Sequence, residues 1–301
     1  MSQALAAIFA PGFFTSQIVA VAATVSAVAA VVCGTVGVFT VIRGQSFAGE
    51  ALGDISTTGA SGAFLLAVGP LWGMGVATVA AAGVMELIGI QRPRGRDLAT
   101  GIVLGAGLGL AALFLYLESV DHNTTGATVT IVFGSMFGIP SSAIPPVLAF
   151  SALALCLVVA LGRPLLLSSV SPELAAARGI PVRLIGVGYL LALAIAVALA
   201  AYTIGTILST ALLVGPAATA LRLTRSPGRA IVLATVIGIA AAWLGILLAY
   251  DSYDWPPVGQ GWPVSFFVVT LIFGGYLLAG LPRHLRRRAT RPDRAGAPAR
   301  G

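Results

Sequence analysis

Residues 184–202 read LIGVGYLLALAIAVALAAY, a run without a single charged side chain. As a helix rising 1.5 Å per residue, a run of this length matches the hydrocarbon thickness of a bilayer. Its apolar residues are continuous rather than alternating, which excludes a strand of a transmembrane β-barrel. Similar runs recur near 16–42, 50–69, 71–90, 98–117, 128–160, 204–221, 230–250 and 264–281, the one at 128–160 broken between Pro140 and Pro146. The composition agrees. Apolar residues make up 58% and charged residues 9% of the 301 positions, against about 25% charged in soluble domains. Mean hydropathy is +1.00. The expected fold is all-α, a polytopic helical membrane protein of about nine transmembrane helices, between eight and ten.

The connections sort by charge. Arg43, then RPRGR at 92–96, then Arg163, Arg178 and Arg183, then Arg222, Arg225 and Arg229, and the tail RHLRRRATRPDR fall on alternate sides of successive runs. The intervening connections hold Glu118, Asp121, Asp251 and Asp254 and no arginine. This asymmetry places the arginine side in the cytoplasm and makes the chain a multi-pass protein of the cell membrane. The net charge of +7 is therefore a one-sided bilayer signal, and no nucleic-acid partner is expected. Residues 1–282 form one membrane domain, and 283–301 a basic, Pro/Gly-rich cytoplasmic tail with the composition of disorder. The start, MSQALAAIFAPGFF, lacks the basic n-region of a cleavable signal and is read as part of the mature chain.

All 17 basic residues are arginine. A phosphate-binding P-loop needs a lysine, so the chain has no nucleotide-hydrolysing motif of that kind and is not read as an enzyme. Cys33 and Cys156 lie inside apolar runs as small core residues. His122 and His284 sit in connections, which leaves the spans without a nucleophile–base pair and the catalytic set empty.

The chemistry lies in GEALGDISTTG at 49–59. Glu50 and Asp54 are four residues apart, on one helix face, where like charges repel. An ionised carboxylate inside a bilayer costs several kcal/mol unless it is paired, hydrated or protonated. Sharing a hard divalent cation such as Mn²⁺ satisfies both acids. Alternatively, the helix starts late and both stand at the cytoplasmic headgroups, favoured by the helix dipole. Glu86 reads as snorkelling toward Arg92 or Arg94. Thr203, Thr206 and Thr210 follow one another at i, i+3 and i+7, a polar stripe that suits either helix packing or the lining of a pore. SPELAAARGIPVR at 171–183 has a Ser-Pro-Glu start and a Gly stop, so a short capped helix is expected in a cytoplasmic loop.

Several of these segments, in order over roughly residues 15–281, resemble the membrane permease subunits of ATP-binding-cassette importers for zinc, manganese and iron. VIRGQSFAGEALGDISTTGASGAFLL is similar to that family's Gly-Asp-Ala-x-Ser-His region, and VFGSMFGIP to its Phe-Gly-Ser/Asp-x-Leu-Gly stretch. SPELAAARGIPV resembles its ATPase-docking loop, and TILSTALLVGPAATALRLTRS its Leu-x-x-Pro-Ala-Ala-Thr-Ala span. The resemblance implies a permease that carries a divalent metal ion as substrate and binds no permanent cofactor. It implies that the permease works as a dimer with a second copy, cytoplasmic ATPase subunits and an extracytoplasmic metal-binding protein. Glu50 and Asp54 fall on the positions that meet the metal, where the family has Asp and His. Losing the imidazole leaves two oxygen donors and leans toward Mn²⁺ or Fe²⁺ over Zn²⁺. Thr203, Thr206 and Thr210 would line the path, and Glu173, Arg178 and Gly179 would touch the ATPase. A proton-coupled secondary transporter working through Glu50, Asp54 and Glu86 is the alternative.

Overall fold

A computed structural model describes residues 16–88, 93–122, 130–134, 136–255 and 261–289, which contain helices and turns and no strand. Ten α-helices follow one another: α1 (Gln17–Ile42), α2 (Ser46–Leu65), α3 (Pro70–Leu87), α4 (Pro93–His122), α5 (Ile144–Val170), α6 (Pro172–Ala177), α7 (Val182–Ile204), α8 (Ser209–Leu223), α9 (Pro227–Asp251) and α10 (Val264–Ala289). All but the short α6 coincide with the nine apolar runs, so the protein is a polytopic helical bundle. Six helices are long and apolar enough to cross a membrane on those grounds alone. Of the other three, α2 is diluted by Gly, Ser, Thr and its two acids, α8 has only 15 residues, and α10 runs into arginines. Helix α10 continues to Ala289, past the expected start of the tail at Arg283, and residues 290–301 lie outside the described residues.

The centre of the bundle is α7, with an unbroken buried run from Ala192 to Ala201. A helix apolar on every side belongs where neighbours surround it. Its alternating alanines let α1, α2, α3, α5 and α8 approach closely. Outward faces of α4 and α5 carry Leu108, Leu110, Leu113, Leu153 and Val159, all exposed, as lipid-facing surfaces require. Cys33 is buried as expected, but Cys156 is exposed on α5 rather than packed in the core. Glu118 does not sit in an external loop either; it is buried on α4. Helices α2 and α3 cross in backbone contact, since a methyl group added at Gly59 would lie 2.2 Å from the Gly73 carbonyl oxygen.

Two breaks shape the bundle. The 128–160 run is a helical turn ending at Phe133, then Gly134, two 3-10 turns (Met136–Gly138 and Ser141–Ala143), and α5, with Pro145 and Pro146 in its first turn, where the missing N–H groups have no helical partner to lose. The second break separates α7 from α8. Gly205 has φ +91 and Gly134 φ +75, and the two pack backbone to backbone. A methyl group at Gly134 would sit 2.6 Å from the Gly205 nitrogen, and one at Gly205 would sit 2.5 Å from the Gly134 nitrogen. The Thr206 N–H donates to the Ile131 carbonyl at 3.2 Å. Non-helical backbone within a membrane bundle survives only when protein satisfies it in this way.

Helix α5 bends at Gly162 (φ 12, ψ −103), two residues before Pro164, which cannot donate to the helical ladder. The segment beyond the bend leads directly into α6. The Ser171 hydroxyl accepts from the Leu174 N–H at 3.4 Å, and Pro172 occupies the first turn. At the other end Gly179 has φ +74, with Ile180 N–H on the Ala175 carbonyl (3.1 Å) and Gly179 N–H on that of Ala176 (2.9 Å). This is a Schellman closure, and it ends the helix where the sequence placed its glycine.

Candidate functional site

The elbow between α1 and α2 is a tight turn. Gly44 adopts φ +64, and the Gln45 N–H returns to the Thr40 carbonyl at 2.9 Å. Helix α2 then buries nearly everything it carries, including Ser56, Thr57, Thr58 and Ser61. The exceptions in its first half form one stripe: Phe47 is 42% exposed, Glu50 is exposed and Asp54 is half-buried. Both acids thus occupy the uncovered face of an otherwise enclosed helix. Small residues make the opposite fit possible, with Gly49 against Leu213 and Gly53 against Ser209 of α8.

Helix α8, seated against α2 through those contacts, also keeps one side open. Thr210, Ala211, Val214 and Ala218 are half-buried and line, with Ile272, Phe273 and Tyr276 of α10, a groove of ≈ 370 Å³. Among the described residues, no three of His, Cys, Asp and Glu come together. A hard divalent ion commonly takes about six oxygen ligands. One copy of the chain offers two carboxylates on this face, so the rest of a coordination shell has to come from water or from another chain.

The three threonines do not share a helix face, which corrects the helical spacing read from the sequence. Thr203 lies in the last turn of α7 and donates back to the Leu199 and Ala200 carbonyls at 3.1 and 2.8 Å. Thr206 lies in the turn and Thr210 in the first turn of α8. The physical cause is Gly205, which stops the helix between them. Thr206 instead accepts from Thr57 Oγ1 at 3.0 Å, just past the middle of α2. Thr57 was missed because a hydroxyl in an apolar helix ordinarily back-bonds to its own carbonyls. The available signal was density: Ser56, Thr57, Thr58 and Ser61 fall in six consecutive residues of an apolar helix.

At the end of the bundle that carries the arginines, Glu86 pairs with Arg183 at 3.5 Å, a partner other than the Arg92 or Arg94 expected from the sequence. Arg92 lies outside the described residues, and nothing is described of the Arg94 side chain. The bond joins the end of α3 to the start of α7. Arg183 is 66% exposed, so Glu86→Gln is expected to cost less than about 1 kcal/mol, read as a shift of thermal unfolding in detergent. Glu173, Arg178 and Gly179 are all exposed on and just after α6. On the far side Trp255, Trp262, Phe266 and Phe267 form an aromatic cluster with centroid spacings of 5.3–6.3 Å, the kind that settles at headgroup level.

Comparison with known proteins agrees with this architecture. Residues 15–273 match the family described as the ABC 3 transport family. The manganese transport system membrane protein MntC of Listeria monocytogenes is 27% identical over 243 residues, covering 81% of this chain and 85% of that protein. Its counterpart in Listeria innocua is 28% identical over 220 residues, 73% of this chain and 77% of the relative. Among solved structures, PsaBC of Streptococcus pneumoniae in complex with a Fab superposes with a TM-score of 0.78 at 24% identity, over 92% of this chain and 97% of that one.

Proposed function

The chain belongs to the ABC 3 transport family, and from that premise we propose that it is the membrane permease of an ATP-driven importer of divalent transition-metal ions, with Mn²⁺ the preferred cargo. The observation that carries this reading is the stripe of Glu50 and Asp54 on the one open face of α2. Facing lipid, each ionised carboxylate would cost several kcal/mol. A second copy placed against the open faces of α2 and α8 removes that cost and supplies two more carboxylates, an oxygen-rich passage suited to Mn²⁺ or Fe²⁺. Thr210, which lines the groove between α8 and α10, and the buried Thr206 and Thr203 are assigned to the route on this reading. Helix α6 is the contact for a cytoplasmic ATPase subunit, through Glu173, Arg178 and Gly179. Its capping at both ends keeps so short a helix formed while exposed. An extracytoplasmic metal-binding protein delivers the ion, and the assembly sits in the cytoplasmic membrane.

The test is uptake into vesicles containing the permease and its ATPase, with Mn²⁺, Zn²⁺ and Fe²⁺ in competition. Asp54→His restores an imidazole and is expected to move preference toward Zn²⁺ by about tenfold, a change of about 1.4 kcal/mol. An unchanged preference would mean that position 54 does not touch the ion. Uptake that runs without ATP would instead make Glu50 and Asp54 proton carriers.

A further inference from the structure

The α1–α2 elbow holds one arginine whose contacts reach across the bundle. Arg43 Nε donates to Gln45 Oε1 at 3.2 Å, within the turn itself. Its Nη1 donates to both Ser168 Oγ and Ser169 Oγ at 3.2 Å, in the last turn of α5. The guanidinium also lies 4.9 Å from the ring centre of Tyr189 on α7, whose hydroxyl is 2.7 Å from Thr40 Oγ1 on α1. Tyr189, Thr40, Gln45 and Ser168 are all buried. A planar, multiply donating guanidinium is the side chain suited to joining several acceptors in fixed geometry, and a lysine would not reproduce it.

What this joint connects matters more than its strength. On one side, Arg43 is three residues before the start of α2, the helix of Glu50 and Asp54. On the other, Ser168 and Ser169 lie in the short segment between the Gly162 bend and α6. That segment is set off from the rest of α5 by the bend and by Pro164, so a push on α6 reaches it without having to move the whole helix. Arg43 ties that segment by hydrogen bonds to the turn at the root of α2, beside the packing that α7 makes with both helices.

We infer that Arg43 is a positioning residue that transmits displacement of α6 to the carboxylate-bearing helix, with Ser168 and Ser169 as its receiving contacts. The inference rests on the reading of the chain as an ATP-driven metal permease. The effect is one of coupling: α6 and the Glu50/Asp54 face each have work of their own, and the arginine makes the two events simultaneous.

The experiment uses the full permease–ATPase complex in proteoliposomes and reads Mn²⁺ taken up per ATP hydrolysed. Arg43→Ala is expected to lower that ratio by about tenfold with hydrolysis changed by less than about twofold, inside the usual range of inter-site coupling. Ser168→Ala with Ser169→Ala, which leaves α2 and its elbow intact, is expected to lower it by about threefold. Arg43→Lys keeps the charge but not the fork, and is expected to resemble the alanine variant. A ratio equal to wild type in both the Arg43→Ala and the double serine variants overturns the inference, as does a proportional fall of uptake and hydrolysis. If Arg43→Ala does not fold, the serine pair alone decides. A wild-type complex that takes up no Mn²⁺ with ATP overturns the transport reading, and this inference with it.

Discussion

Replacing Glu50 with Gln and Asp54 with Asn together is expected to cut ATP-driven Mn²⁺ uptake by about a hundredfold or more while the permease keeps its fold. Removing a buried charge from a contact with an opposite charge costs about 2–5 kcal/mol, and about 2.7 kcal/mol already corresponds to a hundredfold. The stability side of the experiment has the opposite sign. Both acids lie on an uncovered stripe, and among the described residues no hydrogen bond or ion pair holds α2 to its neighbours through them. Neutral amides relieve a like-charge pair at four-residue spacing, worth a few tenths of a kcal/mol. Thermal unfolding of the purified permease should therefore be unchanged or slightly later. Uptake preserved in the double variant, measured with radiolabelled manganese in vesicles, would remove these two residues from the path.

The second large effect is structural. Gly205→Ala is expected to destabilise the permease by about 3 kcal/mol or more, since it combines a backbone conformation that L side chains rarely adopt with overpacking against a neighbouring chain segment. The added methyl group would meet the backbone of Phe133 and Gly134 at 2.5 Å, and backbone cannot swing aside as a side chain does. The yield of monodisperse protein in detergent and its unfolding temperature report the loss. Gly83→Ala on α3 is the control, because nothing lies within 4 Å of its position. That variant is expected to be neutral or to gain up to about 1 kcal/mol from helix propensity. If Gly205→Ala melted with Gly83→Ala, the close approach of the two glycines would not be a determinant of the fold.

What could be read in the chain beforehand follows how local the physics is. Apolar runs depend on the solvent, so the bilayer makes them visible one at a time, and the helices overlie them. The caps of α6 involve groups within ten residues of each other, Ser171 to Ile180, and so announced that helix without any tertiary knowledge. The pairing of Glu86 with Arg183 was not legible, because the two residues are 97 positions apart in the sequence. Arg43 and Ser168 are 125 positions apart, and neither residue type hints at the other. The threonine series shows a different failure. Its period fits a helix, although Gly205 stands between Thr203 and Thr206, and a membrane helix tolerates glycine too often for it to count as a stop by itself.

The crossing of α2 and α3 at Gly59 and Gly73 limits how the acids can travel. With a methyl group at Gly73 only 2.1 Å from the Gly59 carbonyl oxygen and one at Gly59 meeting Gly73 as closely, the two backbones interlock and neither can slide past the other. Any cycle that opens this protein first to one side and then to the other must swing the pair as a single rigid hairpin. The carboxylates then change their exposure by tilting with that hairpin, not by a screw motion of one helix along its own axis.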